Sequence, residues 1–174
     1  MQAPKAVGEE QGPLILVVED DRPTRELLAA ILTEEGLPFH VTCTGHEAME
    51  YAREHPPSMV VLDMHLPNLR GEAVATALRI ELGQALPILA MSASNEWATA
   101  GRIGAYGYVP KPFEVDAFVS QVRQGLDLAE RAEQLRQRSL EARARVEESL
   151  KRQRESFEQA VTVENHLPGS TATS

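Results

Sequence analysis

The chain has 174 residues, 43% of them apolar, 25% charged and 5% aromatic, with a formal net charge of −9. That balance suits one globular domain of ordinary size with residues to spare, and it excludes a disordered or fibrous protein. A single cysteine, Cys43, leaves no internal disulfide, and no apolar run reaches the roughly 18 residues a membrane-spanning helix needs.

Residues 1–13 read as a flexible N-terminus, with Lys5, Glu9 and Glu10 and no apolar core of signal-peptide length, so a cytoplasmic protein is expected. The first apolar run, Leu14-Ile15-Leu16-Val17-Val18, has buried-strand length and ends abruptly in Glu19-Asp20-Asp21. Pro23 opens a helix that carries Leu27, Leu28, Ile31 and Leu32 at helical spacing up to Gly36. A second run, Phe39 to Cys43, precedes a helix through Ala48, Met49, Tyr51 and Ala52. The third, Met59 to Leu62, ends in Asp63, with Pro67 and Gly71 marking a loop before a helix over 72–82. The fourth, Pro87 to Met91, ends at Ser92 and leads to a short helix with Trp97 and Ala98. Gly107-Tyr108-Val109 is the last strand, and from Pro112 the pattern is helical again.

Five strands alternating with five helices predict a doubly wound α/β domain with a five-stranded parallel sheet over residues 14–125. Such sheets bury both faces, so their strands are apolar runs rather than alternations. From Leu126 to Val163 neither proline nor glycine occurs, and Glu, Arg, Gln, Leu and Ala dominate. Residues 126–163 are therefore expected to extend the last helix. A thin stripe through Leu128, Ala132, Leu135, Ser139, Ala142 and Val146, slipping in phase to Leu150, Phe157 and Val161, reads as a weak coiled coil or a partner-docking face. Residues 164–174 read as a disordered tail.

Most of the excess negative charge, a net −7, falls between Leu14 and Gln124. That disfavours phosphate-backbone binding by this segment and fits a protein that holds a cation. Glu19 and Asp20 follow the first strand, Asp63 the third, Ser92 the fourth and Lys111 the fifth. In a parallel doubly wound sheet these residues gather at one edge. Clustered carboxylates repel one another, and a hard divalent cation such as Mg²⁺ relieves that repulsion. A lysine adds positive charge toward a phosphoryl group, a serine adds a hydrogen bond, and Asp63 can act as nucleophile to form an acyl phosphate.

The pieces LILVVEDD (14–21), VVLDMHLPNLRG (60–71), ILAMSAS (88–94) and GAYGYVPKPF (104–113) together resemble the receiver domain of bacterial two-component response regulators, of the flavodoxin-like fold. The resemblance implies a phosphorylation-activated switch that takes its phosphoryl group from a histidine kinase or phosphotransfer protein. It implies Mg²⁺ held by Glu19, Asp20, Asp63 and the backbone carbonyl of His65, with Asp20 the more direct ligand. It also implies phosphorylation on Asp63, Ser92 and Lys111 contacting the phosphoryl group, a cis Lys111-Pro112 bond, and Tyr108 as the switch aromatic. The stretch from Ser92 to Lys111 is about one helical turn shorter than is usual in the family, so its helix should be short, with Trp97 covering part of the output face.

The remaining candidates are expected to be structural. Gly101, Gly104 and Gly107 read as turn chemistry, Cys43 as a small core hydrophobe, and His40, His46, His55 and His166 show no metal-ligand spacing. An aspartyl-phosphate hydrolase needs a second acid two residues past Asp63, where His65 stands. Arginines and glutamates interleave on the long helix, which reads as a solvated face rather than a DNA contact. The expected protein is thus no enzyme beyond its own phosphorylation and dephosphorylation, and it acts on a downstream protein partner without direct DNA or membrane binding. Homodimerisation through the long helix stays open, and the rival reading is a structural adaptor that never switches.

Overall fold

The computed structural model describes residues 12–67, 69–93 and 101–164, with side chains through Ser156. In chain order the elements are β1 (Ile15–Val18), α1 (Arg22–Glu34), β2 (Phe39–Thr42), α2 (Gly45–Glu54), β3 (Met59–Asp63), α3 (Gly71–Leu82), β4 (Ile88–Ser92), β5 (Gly107–Pro110) and α4 (Val115–Glu164). The short helix expected around Trp97 and Ala98 lies outside the described residues, as does His166.

All strand pairs are parallel, in the order β2-β1-β3-β4-β5. Strand order therefore reverses between β1 and β3, the place where doubly wound sheets bind ligands. Successive residues of a strand face opposite sides. Ile15 and Val17 accordingly join Leu28 and Leu32 of α1 and Phe118 and Val122 of α4 on one face. Leu16 and Val18 join Ala48 and Ala52 of α2 and Val74 and Leu78 of α3 on the other. Both faces are covered, and β1, β3 and β4 are buried along their whole length.

Local chemistry sets the helix starts. The Asp21 carboxylate accepts from the Thr24 N–H, and Pro23 lies in the first turn of α1. The Thr44 hydroxyl caps α2 by accepting from the Glu47 N–H, while the Glu47 carboxylate accepts from the Cys43 N–H at 2.8 Å. That arrangement corrects the expectation for Cys43. The edge strand β2 stops at Thr42, so Cys43 belongs to the helix entry and its thiol is exposed.

The chain divides into two compact units, Met1–Ala132 and Glu133–Ser174. The first holds the sheet. In the second, every side chain from Glu133 to Ser156 is exposed.

Candidate functional site

The carboxyl ends of β1, β3, β4 and β5 build one polar site. Beyond β1 the chain is held by the Glu19 N–H, which donates to the Thr42 carbonyl at 3.1 Å. Arg25 of α1 clamps the same turn, its Nη1 donating to the carbonyls of Glu19 at 3.1 Å and Asp20 at 2.5 Å. Glu19 points inward and is 1% exposed, whereas its neighbour Asp20 is exposed.

Asp63, the last residue of β3, is 6% exposed. Its Oδ1 accepts from the His65 N–H at 2.8 Å and its Oδ2 from Lys111 Nζ at 2.6 Å. The turn that follows is tight. A Cβ on Gly71 would fall 2.7 Å from the Asp63 carbonyl oxygen and 2.8 Å from Met64 Cα, so no larger residue fits without moving backbone.

Lys111 is tied to β4 by its own N–H, which donates to the Ser92 carbonyl at 2.8 Å, and it precedes a cis bond to Pro112. Its ammonium lies between two acids, donating to Glu19 Oε2 and Asp63 Oδ2 at 2.6 Å each. Burial alone would lower the lysine pKa, but the hydrogen bonds to Asp63 and Glu19 outweigh it and the net shift is upward. Burial also dominates at Glu19, which rises from its ordinary 4.5 to about 7; the Lys111 hydrogen bond opposes the rise and the Asp63 charge adds to it.

Ser92 is fully buried, with its Oγ 3.2 Å from His65 Nδ1. Tyr108, half-buried, packs with Met64 and Ala90 and directs its hydroxyl to the Ser92 carbonyl at 3.5 Å, the outer limit of a hydrogen bond.

Glu19, Asp20 and Asp63 each offer a carboxylate oxygen, and these lie within 4.8 Å of one another. The donor set is all oxygen, and a single ammonium stands against two nearly buried acids. Those are the donors a hard divalent cation takes.

The structure thus brings Glu19, Asp20, Asp63 and Lys111 together, sets His65 against Ser92, and puts Tyr108 beside Ser92. Sequence reasoning missed Arg25, whose role depends on one turn of α1, and used Gly71 only as a loop marker. Of the other histidines, His40 and His55 both stack on Tyr51, with ring centroids 3.6 and 4.5 Å away, at the β2 edge. Gly104, at φ 64°, is a turn residue as expected.

Residues 15–123 match the model of the response regulator receiver domain. Over 113 residues the chain is 36% identical to the transcriptional regulatory protein KdpE of Mycobacterium tuberculosis, covering 63% of this chain and 49% of that protein. It is 37% identical over 112 residues to the response regulator MprA of Mycolicibacterium vanbaalenii, covering 63% and 48%. The chain spans about half the length of the curated relatives it matches. Among solved structures, the receiver domain of NtrX from Brucella abortus superposes with a TM-score of 0.61 at 30% identity, over 65% of this chain and 98% of that one. The chemotaxis protein CheY4 of Vibrio cholerae shares the fold at 21% identity, with a TM-score of 0.62 over 66% and 98% of the two chains.

Proposed function

The chain belongs to the response regulator receiver family, and on that premise we propose that it is a phosphorylation-activated switch whose acceptor is Asp63. The observation that carries this reading is the Lys111 ammonium bridging Asp63 and the buried Glu19 at 2.6 Å, with Asp20 completing an oxygen-donor cluster.

In the proposed step an Asp63 carboxylate oxygen attacks phosphorus in the phosphohistidine of a kinase or phosphotransfer protein. A P–O bond forms and the P–N bond breaks. The departing imidazole keeps the bonding pair, and the product is an acyl phosphate. Bound Mg²⁺, held by Glu19, Asp20, Asp63 and the His65 carbonyl, would supply charge neutralisation for the phosphoryl oxygens. Lys111 offers a second positive charge from a fixed direction, and the Ser92 hydroxyl a neutral donor. Tyr108, already against Ser92, would answer a movement of that residue by repacking toward it. Water attack on the acyl phosphate reverses the switch, and the chain catalyses nothing else.

We take residues 14–125 as the receiver, 126–163 as a helical extension, and 1–13 and 164–174 as terminal segments. No described helix is long and apolar enough to cross a membrane. We place the protein in the cytoplasm, signalling to a downstream protein. The relatives named as transcriptional regulators leave DNA-binding output as the rival, and the mixed charges of α4 favour protein contact.

Incubation with a small phosphodonor and Mg²⁺ tests the reading. Labelling is expected for the natural chain and none for Asp63→Asn, and retained labelling in the variant would overturn it. A downstream partner whose affinity is the same with and without phosphorylation would favour the constitutive adaptor.

A further inference from the structure

From Glu133 onward, α4 gathers apolar and small side chains on one stripe and sets most of its acids opposite, with Leu140 and Lys151 among the exceptions on that far side. At about 100° per residue, Leu135, Ser139, Ala142, Val146 and Leu150 fall on one stripe. The stripe is bare: Leu135 is 64% exposed, and Val146 and Leu150 are 60% exposed. Ser139, Ala142, Val146 and Leu150 line a shallow groove along it, bordered by Arg143 and Glu147.

Arginines edge the stripe on both sides. Arg138, Arg145 and Arg152 recur every seventh residue along one border, and Arg136 and Arg143 do so along the other. The carboxylates of Glu133, Glu141, Glu148 and Glu155 lie on the far side, and only Glu147 comes near a border. Glu133 pairs with Arg136 and Glu148 with Arg152. Arg138 and Arg143 have no carboxylate partner among the described residues. Among the described residues, Arg145 reaches only the backbone carbonyl of Glu141.

This pattern argues against a second copy as the occupant. In a parallel two-helix pair, a border residue faces the residue five further along the other chain, which sets Arg138 against Arg143 of its copy. In an antiparallel pair like borders meet, and Arg138 and Arg145 face their own counterparts. Both orientations place arginine against arginine, and neither Arg138 nor Arg143 has a carboxylate partner among the described residues to offset the repulsion. A membrane surface fits poorly as well, because Ser139 and Ala142 give the stripe little to insert and the acidic back repels anionic lipid. The same acidic back opposes a nucleic acid.

We propose that this face of α4 docks an acidic amphipathic helix of another protein, one with an apolar seam edged by Asp or Glu. Ser139 and Ala142 let the two backbones approach closely, Val146 and Leu150 supply the apolar contact, and Arg136, Arg138, Arg143 and Arg145 take carboxylates on both borders. The contact does not depend on phosphotransfer at Asp63, so each reading can fail without the other.

The test uses the full unphosphorylated chain and two synthetic helical peptides with the same Leu/Ala seam, one edged by Glu and one by Lys, followed by fluorescence anisotropy. The Glu-edged peptide is expected to bind about tenfold tighter or more, with the gap narrowing as salt rises. Neutralising both borders with Arg138→Glu and Arg143→Glu, which keeps good helix formers and leaves Arg136 and Arg145 in place, is expected to abolish the preference, with helicity unchanged by circular dichroism. In the natural chain, equal affinity for the two peptides, or binding of neither, would overturn the proposal. So would a natural-chain dimer that Val146→Glu dissolves, or capture by anionic phosphatidylserine vesicles in preference to the Glu-edged peptide.

Discussion

The buried site of the first unit and the exposed helix of the second handle charge in opposite ways. In the first, Lys111 is mostly buried, its side chain 17% exposed, and two buried carboxylates share its ammonium. In the second, ion pairs such as Glu133–Arg136 and Glu148–Arg152 form between exposed neighbours on one helix, and Arg138 and Arg143 go without a carboxylate partner among the described residues. A buried pair is fixed in place by the cost of leaving either partner alone, whereas an exposed pair is screened and replaceable. The first arrangement makes a site with defined geometry, and the second leaves charges available to a partner.

The largest expected effect comes from breaking the buried arrangement. Lys111→Met leaves Glu19 and Asp63 facing each other without a cation and should cost about 3 kcal/mol of stability in metal-free buffer. Mg²⁺ should restore part of that, measurable by urea denaturation with and without the ion. Asp20→Asn probes the exposed member of the cluster. It should leave metal-free stability nearly unchanged but weaken Mg²⁺ affinity by about tenfold, read as loss of the Mg²⁺-induced rise in melting temperature.

A smaller effect concerns the β2 edge. Burial, and then the nearby charge of His55, holds His40 below the ordinary histidine value of 6.5. The unfolded chain therefore binds its proton first, and stability should decline as pH falls through 6.5 toward the folded pKa. His40→Phe should flatten that decline in melting temperatures taken across the range. The smallest effect is on the helix. Glu133→Gln removes an exposed pair and should leave the denaturation midpoint where it was, and a clear drop would mean that α4 uses its surface pairs as the first unit uses its buried ones.

These contrasts also explain what could be read in advance. The strands were legible because a parallel sheet buried on both faces needs unbroken apolar runs, as in Leu14–Val18 and Met59–Leu62. The site was legible because polar residues at Glu19, Asp63, Ser92 and Lys111 interrupt those runs at their carboxyl ends. The division of labour between adjacent acids was not. Both acids reach the cluster, but Glu19 is buried in it and Asp20 stays exposed at its rim, on a turn that Arg25 fixes through the Glu19 and Asp20 carbonyls, a contact that exists only once α1 has packed. Gly71 is likewise demanded by the backbone of Asp63 and Met64, which no local pattern announces. Cys43 was misplaced because a strand-like run continued one residue past the last β2 pairing, at Thr42.

The central claim is that Asp63 carries the phosphoryl group. Treating the chain with a small phosphodonor and Mg²⁺, trapping the product by borohydride reduction and mapping it by peptide mass spectrometry tests this directly. An acyl phosphate on Asp63 reduces to homoserine at position 63 and nowhere else, and that is the expected result. Homoserine at another aspartate, or a chain that comes through the treatment unmodified, would contradict it.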